Sequence, residues 1–136
     1  MKKSFHKMFP NEHLGIVRFK TGDLFMEEIL DINHIYKTDK HFSDIHYIVL
    51  NFTSCIPKFN IEELDIILNN FLNNIQKNNH IKRVFLVDAP MQTAYAHLFI
   101  QDIFDSSAYC STLEKAHEFL GIPITLDKFI SLVNQQ

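Results

Sequence analysis

Two polar residues lie at the ends of apolar segments that are typical of buried β-strands. Asn51 lies near the end of residues 47–52, and Asp88 directly follows residues 83–87. If these strands are parallel neighbours, both side chains lie at the carboxyl edge of the sheet, where open α/β sheets bind their ligands. Hydroxyl groups from the next segment would add donors, so the sequence predicts four candidate ligand-binding residues: Asn51, Asp88, Thr93 and Tyr95.

Asp88 also has a structural interpretation. Ala89 and Pro90 follow it and open a helical segment, and a carboxylate at that position commonly accepts backbone N–H groups. We favour this capping role over ligand contact. His97 lies close by, but no carboxylate near it in sequence would support acid–base chemistry.

Signals for enzyme chemistry are missing from the sequence. It contains no nucleophile elbow, no GxGxxG and no HExxH, and three glycines are too few for a phosphate-binding loop. We therefore predict no catalytic residue and no cofactor. His41 and His46 are five residues apart in an extended segment and would point to opposite faces, so we predict no metal site there. Cys55 and Cys110 are predicted to be unpaired thiols.

The elements that position these residues follow from hydrophobic periodicity. Residues 47–52 and 83–87 are near-continuous apolar runs, as expected for parallel strands buried on both faces. Between them, Asn60 and Glu63 form a capping box that opens a helix. The apolar stripe of this helix consists of Leu64, Ile67, Leu68, Phe71, Leu72 and Ile75, which leaves Asn69, Asn70, Asn73 and Asn74 on the predicted solvent side.

The remaining elements give the order β-β-α-β-α-β-α-β-α plus one helix. The predicted strands are residues 5–9, 14–20 and 108–111, and the predicted helices are residues 24–36, 112–120 and 126–133, with a further helix after Pro90 that carries Tyr95, Leu98, Phe99 and Ile103 on one side. Ser111 with Glu114 is a second predicted capping box, Gly121 ends that helix, and Thr125 caps the last one.

The predicted fold class is therefore α/β. We expect one mixed sheet of four to five strands with a parallel core, an antiparallel N-terminal hairpin, and helices mainly on one face. The chain is predicted to be a single domain, residues 1–136, with a core at 14–121 and a helical extension at 122–136. The other face must be covered by that extension or by a second subunit, which favours a homodimer.

Charge and hydropathy exclude two classes of partner. The formal net charge of −3 does not fit a general nucleic-acid binder. No apolar run approaches the ~20 residues of a membrane span, and polar residues interrupt the start of the chain where a signal peptide would be apolar. We expect a cytoplasmic protein.

Several segments together resemble one known family. They are a Gly-Ile-Val-Arg-Phe strand closed by Gly22, the strand that ends near Asn51, the Arg-Val-Phe-Leu-Val-Asp-x-Pro strand and turn, and the Thr-Leu-Glu-Lys-Ala-x-Glu-Phe-Leu-Gly helix. Over residues 14–121 the chain is similar to the SpoIIAA-like family, which has the STAS fold and some resemblance to the SEC14 lipid-binding proteins.

The resemblance implies a homodimer that acts through protein–protein contact. Relatives in this family are anti-anti-sigma switches in which a kinase phosphorylates a serine of an Asp-Ser-Ser-Gly motif at a helix start. Here that motif is absent and Asn60 stands near the serine position. The leading hypothesis is therefore a non-enzymatic interaction domain with an unknown protein partner. A binding module for a small apolar or lipidic ligand is second, and an uncharacterised enzyme is third.

Overall fold

The structure is a computed structural model that describes residues 3–77, 80–100 and 107–135. Its strands are β1 (Phe5–Phe9), β2 (Leu14–Arg18), β3 (Gly22–Leu24), β4 (Tyr47–Asn51), β5 (Cys55–Pro57), β6 (Lys82–Leu86) and β7 (Ser107–Cys110). Its α-helices are α1 (Met26–Lys37), α2 (Ile61–Lys77), α3 (Pro90–Ile100), α4 (Leu113–Leu120) and α5 (Leu126–Val133). Predicted helical position Ile103 lies outside the described residues.

Five strands form the central sheet in the order β1-β2-β4-β6-β7. β1 is antiparallel to β2, and the other neighbours are parallel. The predicted pairing of the two apolar strands is confirmed, because β4 and β6 lie side by side with Val49 opposite Val84. The fold class predicted from the sequence is confirmed as well.

A second sheet was not predicted. β3 and β5 pair in parallel beyond the ends of β2 and β4, with Asp23 opposite Ile56. Each strand has only three residues, too few for a recognisable alternation of polar and apolar side chains. As a result Leu24, predicted to begin a helix, is in β3, and α1 begins at Met26.

The central strands send alternate side chains to two separate apolar clusters. Val17, Ile48, Leu50 and Phe85 point to the face covered by α1, α2 and α3. Ile16, Val49, Val84 and Leu86 point to the face covered by α4 and α5. The strands are thus buried on both sides, which explains why their sequences lack a polar face.

The second face of the sheet is covered by the chain itself. Ala116 and Leu120 of α4, and Phe129 and Leu132 of α5, pack in one cluster with the central strands. Of the two alternatives left open by the sequence, the C-terminal extension is therefore the correct one, with α4 contributing as well. The uncovered face that favoured a homodimer is not present among the described residues.

The predicted caps of α2 and α5 are confirmed, and the predicted cap of α4 is shifted by one residue. Asn60 Oδ1 accepts the N–H of Glu63 at 2.8 Å, and Glu63 Oε1 accepts the N–H of Asn60 at 3.0 Å, as a capping box requires. Thr125 caps α5, and Gly121 ends α4 with φ +63°. The prediction for α4 was wrong by one residue, because Thr112 rather than Ser111 accepts the first-turn N–H, from Lys115.

The asparagine-rich side of α2 does not all face solvent. Asn74 is buried, and its Oδ1 accepts from Lys37 Nζ at 2.7 Å, while Asn70 Oδ1 accepts from Asn33 Nδ2 at 2.9 Å. The predicted solvent side is wrong for these two residues because α1 packs along α2 there and offers polar partners. Among the described residues, no helix has the length and apolar character needed to cross a bilayer.

Candidate functional site at the carboxyl rim of the sheet

The segments that follow β4 and β6, residues 51–54 and 87–90, form the carboxyl rim. They are tied together by Asp88, whose two carboxylate oxygens accept the backbone N–H of Ser54 at 3.0 and 3.1 Å. The N–H of Asp88 itself donates to Gln92 Oε1 at 2.8 Å. Asp88 thus accepts a backbone N–H, but from the neighbouring loop rather than from the first turn of α3.

The Ser54 N–H bond stabilises an unusual backbone conformation. Ser54 has φ +64°, in the left-handed region that favours glycine. Its carbonyl accepts the N–H of Gly22 at 2.9 Å, which starts the pairing of β3 with β5. Asp88 therefore helps to hold the small sheet in place beyond the ends of β2 and β4.

Asn51 is the centre of a separate polar cluster. Its Oδ1 accepts three bonds: from Arg18 Nη1 at 2.7 Å, from the N–H of Thr53 at 3.0 Å and from Thr53 Oγ1 at 2.7 Å. Arg18 and Asn51 are the last residues of β2 and β4 and are paired in register. Partial burial lowers the pKa of the Arg18 guanidinium from its ordinary value.

Sequence reasoning did not identify Arg18 as a site residue. The available signal was a cation at the end of an otherwise apolar strand, next to the strand that ends in Asn51. That signal becomes informative only when β2 and β4 are known to be neighbours.

Thr93 and Tyr95 lie on different sides of α3. Thr93 Oγ1 donates to the carbonyl of Ala89 at 3.0 Å, one turn earlier, and the residue borders a surface groove. The Tyr95 ring packs edge-on against Phe59, with centroids 5.3 Å apart, in the contact between α3 and the start of α2. The four predicted ligand-binding residues therefore do not converge on one cleft.

Three of the four predicted residues line two different cavities. Asp88 and Thr93 line a groove of about 900 Å³ along α3, together with Ala94, His97 and Tyr109. Asn51 lines a different cavity of about 250 Å³, together with Arg18 and Thr53. We call the first the α3 groove and the second the Arg18 cavity.

Large apolar side chains are exposed around the rim. Ile61, the first residue of α2, is 81% exposed, and Met91 at the start of α3 is 54% exposed. Ile56 of β5 is 48% exposed, and Phe25, directly after β3, is 46% exposed. We call these four residues the rim patch.

The connections within the rim hold the rim patch together. Asp23, two residues before Phe25, pairs with Ile56 in the small sheet, and the N–H of Lys58 donates to Leu24 O at 2.9 Å. Gln92, next to Met91, donates through Nε2 to Cys55 O at 2.7 Å. The segments that carry Phe25 and Met91 are therefore bonded to β5, and Ile61 follows the end of β5 by four residues along the chain.

The histidines considered as metal ligands have other neighbours. The His46 ring stacks on His13, with centroids 4.4 Å apart, and His41 Nδ1 lies 3.9 Å from Asp44 Oδ2. Within the part of the chain that is described, no three His, Cys, Asp or Glu side chains are grouped as they would need to be to hold a metal ion. Both cysteines are free thiols, as predicted.

The arrangement of strands and helices defines the class of fold. A mostly parallel five-stranded sheet with an antiparallel first strand, three helices on one face and two on the other, is the STAS fold. No family model matches the sequence, and no curated protein matches it significantly.

A solved structure has the same fold. The anti-sigma factor antagonist SpoIIAA in its unphosphorylated form superposes with a TM-score of 0.54. The match covers 85% of this chain and 94% of the SpoIIAA chain, at 13% sequence identity. The similarity confirms the SpoIIAA-like fold that the sequence resemblance implied.

Proposed function

We propose that this chain is a non-enzymatic regulatory domain that binds a partner protein through the rim patch. The observation that carries the proposal is the exposure of four large apolar side chains near one short strand: Ile56 on β5 itself, Phe25 and Met91 on segments bonded to β5, and Ile61 four residues after it. Single exposed apolar residues are ordinary, but several on neighbouring segments are typical of a protein-binding surface. SpoIIAA, which has the same fold, is an anti-sigma factor antagonist.

Two further features support binding rather than catalysis. Asn51, Asp88, Thr93 and Tyr95 are divided between two cavities and a helix contact, so they do not form a reaction centre. Asn60, at the start of α2 next to Ile61, uses its side chain as a helix cap and has no hydroxyl group to phosphorylate. Partner binding at the patch is therefore independent of phosphorylation at residue 60.

Charge substitution in the patch tests the proposal. Tagged wild-type protein and the Ile61→Glu variant are used to capture partners from the source cell, and the captured proteins are quantified by mass spectrometry. We expect a protein retained by the wild type to be lost with Ile61→Glu, because a carboxylate cannot be desolvated against an apolar partner surface. Since Ile61 is already exposed, the variant should fold normally.

The matched control is Ile35→Glu. Ile35 is 49% exposed and lies near the far end of α1, away from the carboxyl rim. The Ile35→Glu variant should capture the same partner protein as the wild type. Equal capture by the wild type and both variants, with all three folded by circular dichroism, would contradict the proposed binding surface.

A second copy of the chain is one candidate partner, in line with the homodimer expected from the sequence. Light scattering distinguishes this case. A dimer that Ile61→Glu converts to a monomer, while Ile35→Glu does not, would assign the rim patch to self-association. A monomer at all concentrations would leave a different protein as the partner.

The α3 groove favours a second function, the binding of a small apolar ligand. It is a wide surface groove of about 900 Å³, large enough for a small molecule, and much of its lining is apolar, including Val87, Pro90 and Ala94. Native mass spectrometry of the purified protein should then show a co-purified molecule. Ala94→Phe, which fills the groove from an exposed helix position, should abolish that mass, and a wild-type protein with no bound molecule would exclude this function.

A further inference from the structure

The Arg18 cavity contains a cation that has no described carboxylate at ion-pair distance, although Asp88 attracts it from further away. Arg18 is half-buried, yet none of the ion pairs in the described residues includes it. All of its hydrogen bonds within the described part of the chain use one nitrogen, Nη1, which donates to the carbonyl and Oδ1 of Asn51 and to Thr53 Oγ1. The Nε and Nη2 groups of Arg18 therefore remain as donors.

Asn51 adds a further donor with a fixed orientation. Its Oδ1 must face Arg18 Nη1 and the N–H of Thr53, because both groups are donors and need an acceptor. The amide nitrogen Nδ2 is consequently turned away from the cluster, and it makes no hydrogen bond to any described residue. The cavity is thus supplied with N–H donors by a guanidinium and an amide.

The rest of the lining is also suited to an anion. Asn134 and Gln135, which have amide side chains, line the cavity together with the apolar Phe5 and Val133, and no acidic side chain is among the described residues that line it. The position is the carboxyl end of two central parallel strands, where sheets of this type bind ligands. A volume of about 250 Å³ is below the ~300–1,000 Å³ of drug-sized sites, so the fitting ligand is small.

We propose that the Arg18 cavity binds a small oxyanion, a phosphate or a carboxylate group, through Arg18 and Asn51. Guanidinium groups bind both anions through paired, charge-assisted hydrogen bonds. This site is separate from the rim patch and does not depend on the proposed protein partner. Anion binding at this site would allow a small molecule to act on the same carboxyl rim.

A titration of the ¹⁵N-labelled protein tests the proposal. Inorganic phosphate and acetate are added separately, with sodium chloride keeping the ionic strength constant, and the NMR signals of Arg18 Nε–H and the Asn51 side-chain amide are followed. We expect saturable shifts of these signals with at least one anion. The anion that gives the lower dissociation constant identifies the ligand class as phosphate or carboxylate.

The Asn51→Asp variant keeps the fold while removing the site. An aspartate can accept the same bonds from Arg18 and Thr53, but it neutralises the guanidinium and lacks the Nδ2 donor. We expect binding to weaken by at least ~10-fold, the effect of one or two charge-assisted hydrogen bonds. Lys115→Gln, which removes an exposed positive charge on α4, should bind as the wild type does.

Two outcomes would overturn the proposal. One is the absence of any saturable shift at Arg18 and Asn51 with either anion. The other is an equal response in the wild type and Asn51→Asp, which would show only general screening of surface charge.

Discussion

The two faces of the central sheet are stabilised in different ways. The face under α4 and α5 holds an apolar cluster in which Phe129 is completely buried, and the polar side chains beside this cluster, such as His117 against the Phe129 ring and Lys82 over Phe119, are only partly buried. The face under α1, α2 and α3 also has a large apolar cluster, but buried polar residues lie beside it, among them Asn33, Asn74 and Arg83.

The polar groups on the face under α1, α2 and α3 restrict how its helices pair. Arg83 donates to the carbonyls of Ile81 and Asn74, and it is hydrogen-bonded to Tyr36. Directional bonds of this kind have one good geometry, whereas apolar contacts tolerate sliding. We infer that α4 and α5 mainly contribute stability, while the polar bonds of the α1–α3 face also position the end of α2 beside the start of β6.

The largest expected effect is on the apolar face. Phe129→Ala should lower the free energy of unfolding by about 3–5 kcal/mol, through lost burial and the cavity that remains. Urea denaturation followed by circular dichroism measures the loss. Phe25→Ala, at an exposed phenylalanine, is the matched control, and a similar loss in both variants would contradict the central role of Phe129.

On the polar face, Arg83→Met should cost about 2–3 kcal/mol, because several buried partners lose a donor that methionine cannot replace. The same urea experiment applies. Lys82→Met, one residue earlier and only partly buried, should cost less than about 1 kcal/mol. A neutral Arg83→Met variant would show that the polar cluster contributes no stability.

The free energy of unfolding also depends on pH through a residue on the α1–α3 face. Burial raises the pKa of the Cys55 thiol to about 11, since the folded protein favours the neutral form. The contribution of Cys55 to stability is therefore complete below the unfolded thiol's pKa of 9.0 and is lost as the pH rises towards 11, in total about 3 kcal/mol.

Comparison with Cys55→Ala isolates this effect. Unfolding free energies of both proteins are measured under reducing conditions from neutral pH upwards, and the difference between them should shrink by that amount. Burial also raises the pKa of Tyr36, but that titration is common to both proteins. A difference that stays constant with pH would contradict the assignment.

The smallest effects concern the helix caps, one on each face. Asn60→Ala at the start of α2 and Thr125→Ala at the start of α5 should each cost about 1 kcal/mol. Thermal unfolding compares them, and Asn60→Ser should retain most of the stability because serine also caps. Markedly unequal losses of stability in the two alanine variants would mean that the two faces differ in the strength of their helix caps as well as in packing.

Much of the fold could be predicted from short-range patterns. The parallel pair β4 and β6, the capped start of α2 at Asn60, and the limits of α5 all follow from periodicity and capping residues within about a dozen positions. The features that the sequence does not predict also have local causes. Strands of three residues carry no period, so β3 and β5 were missed, and adjacent Ser111 and Thr112 could not be ranked as caps.

The candidate site was predicted only in part. Asn51 and Asp88 lie at the carboxyl rim, and their ligand-binding role stays a prediction, but the sequence does not predict their partners, Arg18 and Ser54. Each bond joins residues more than thirty positions apart, 33 and 34 respectively. No spacing rule relates such residues until the neighbouring strands are known.

The amino-acid sequence by itself determined the elements and their approximate order, because helical and strand periods and their caps depend on neighbouring residues. Only the tertiary structure decided that α4 and α5 cover the second face, that Asp88 holds the β5 loop, and that Arg18 and Asn51 share a cavity. These features depend on strand order and register, which arise when distant segments bury their apolar faces together.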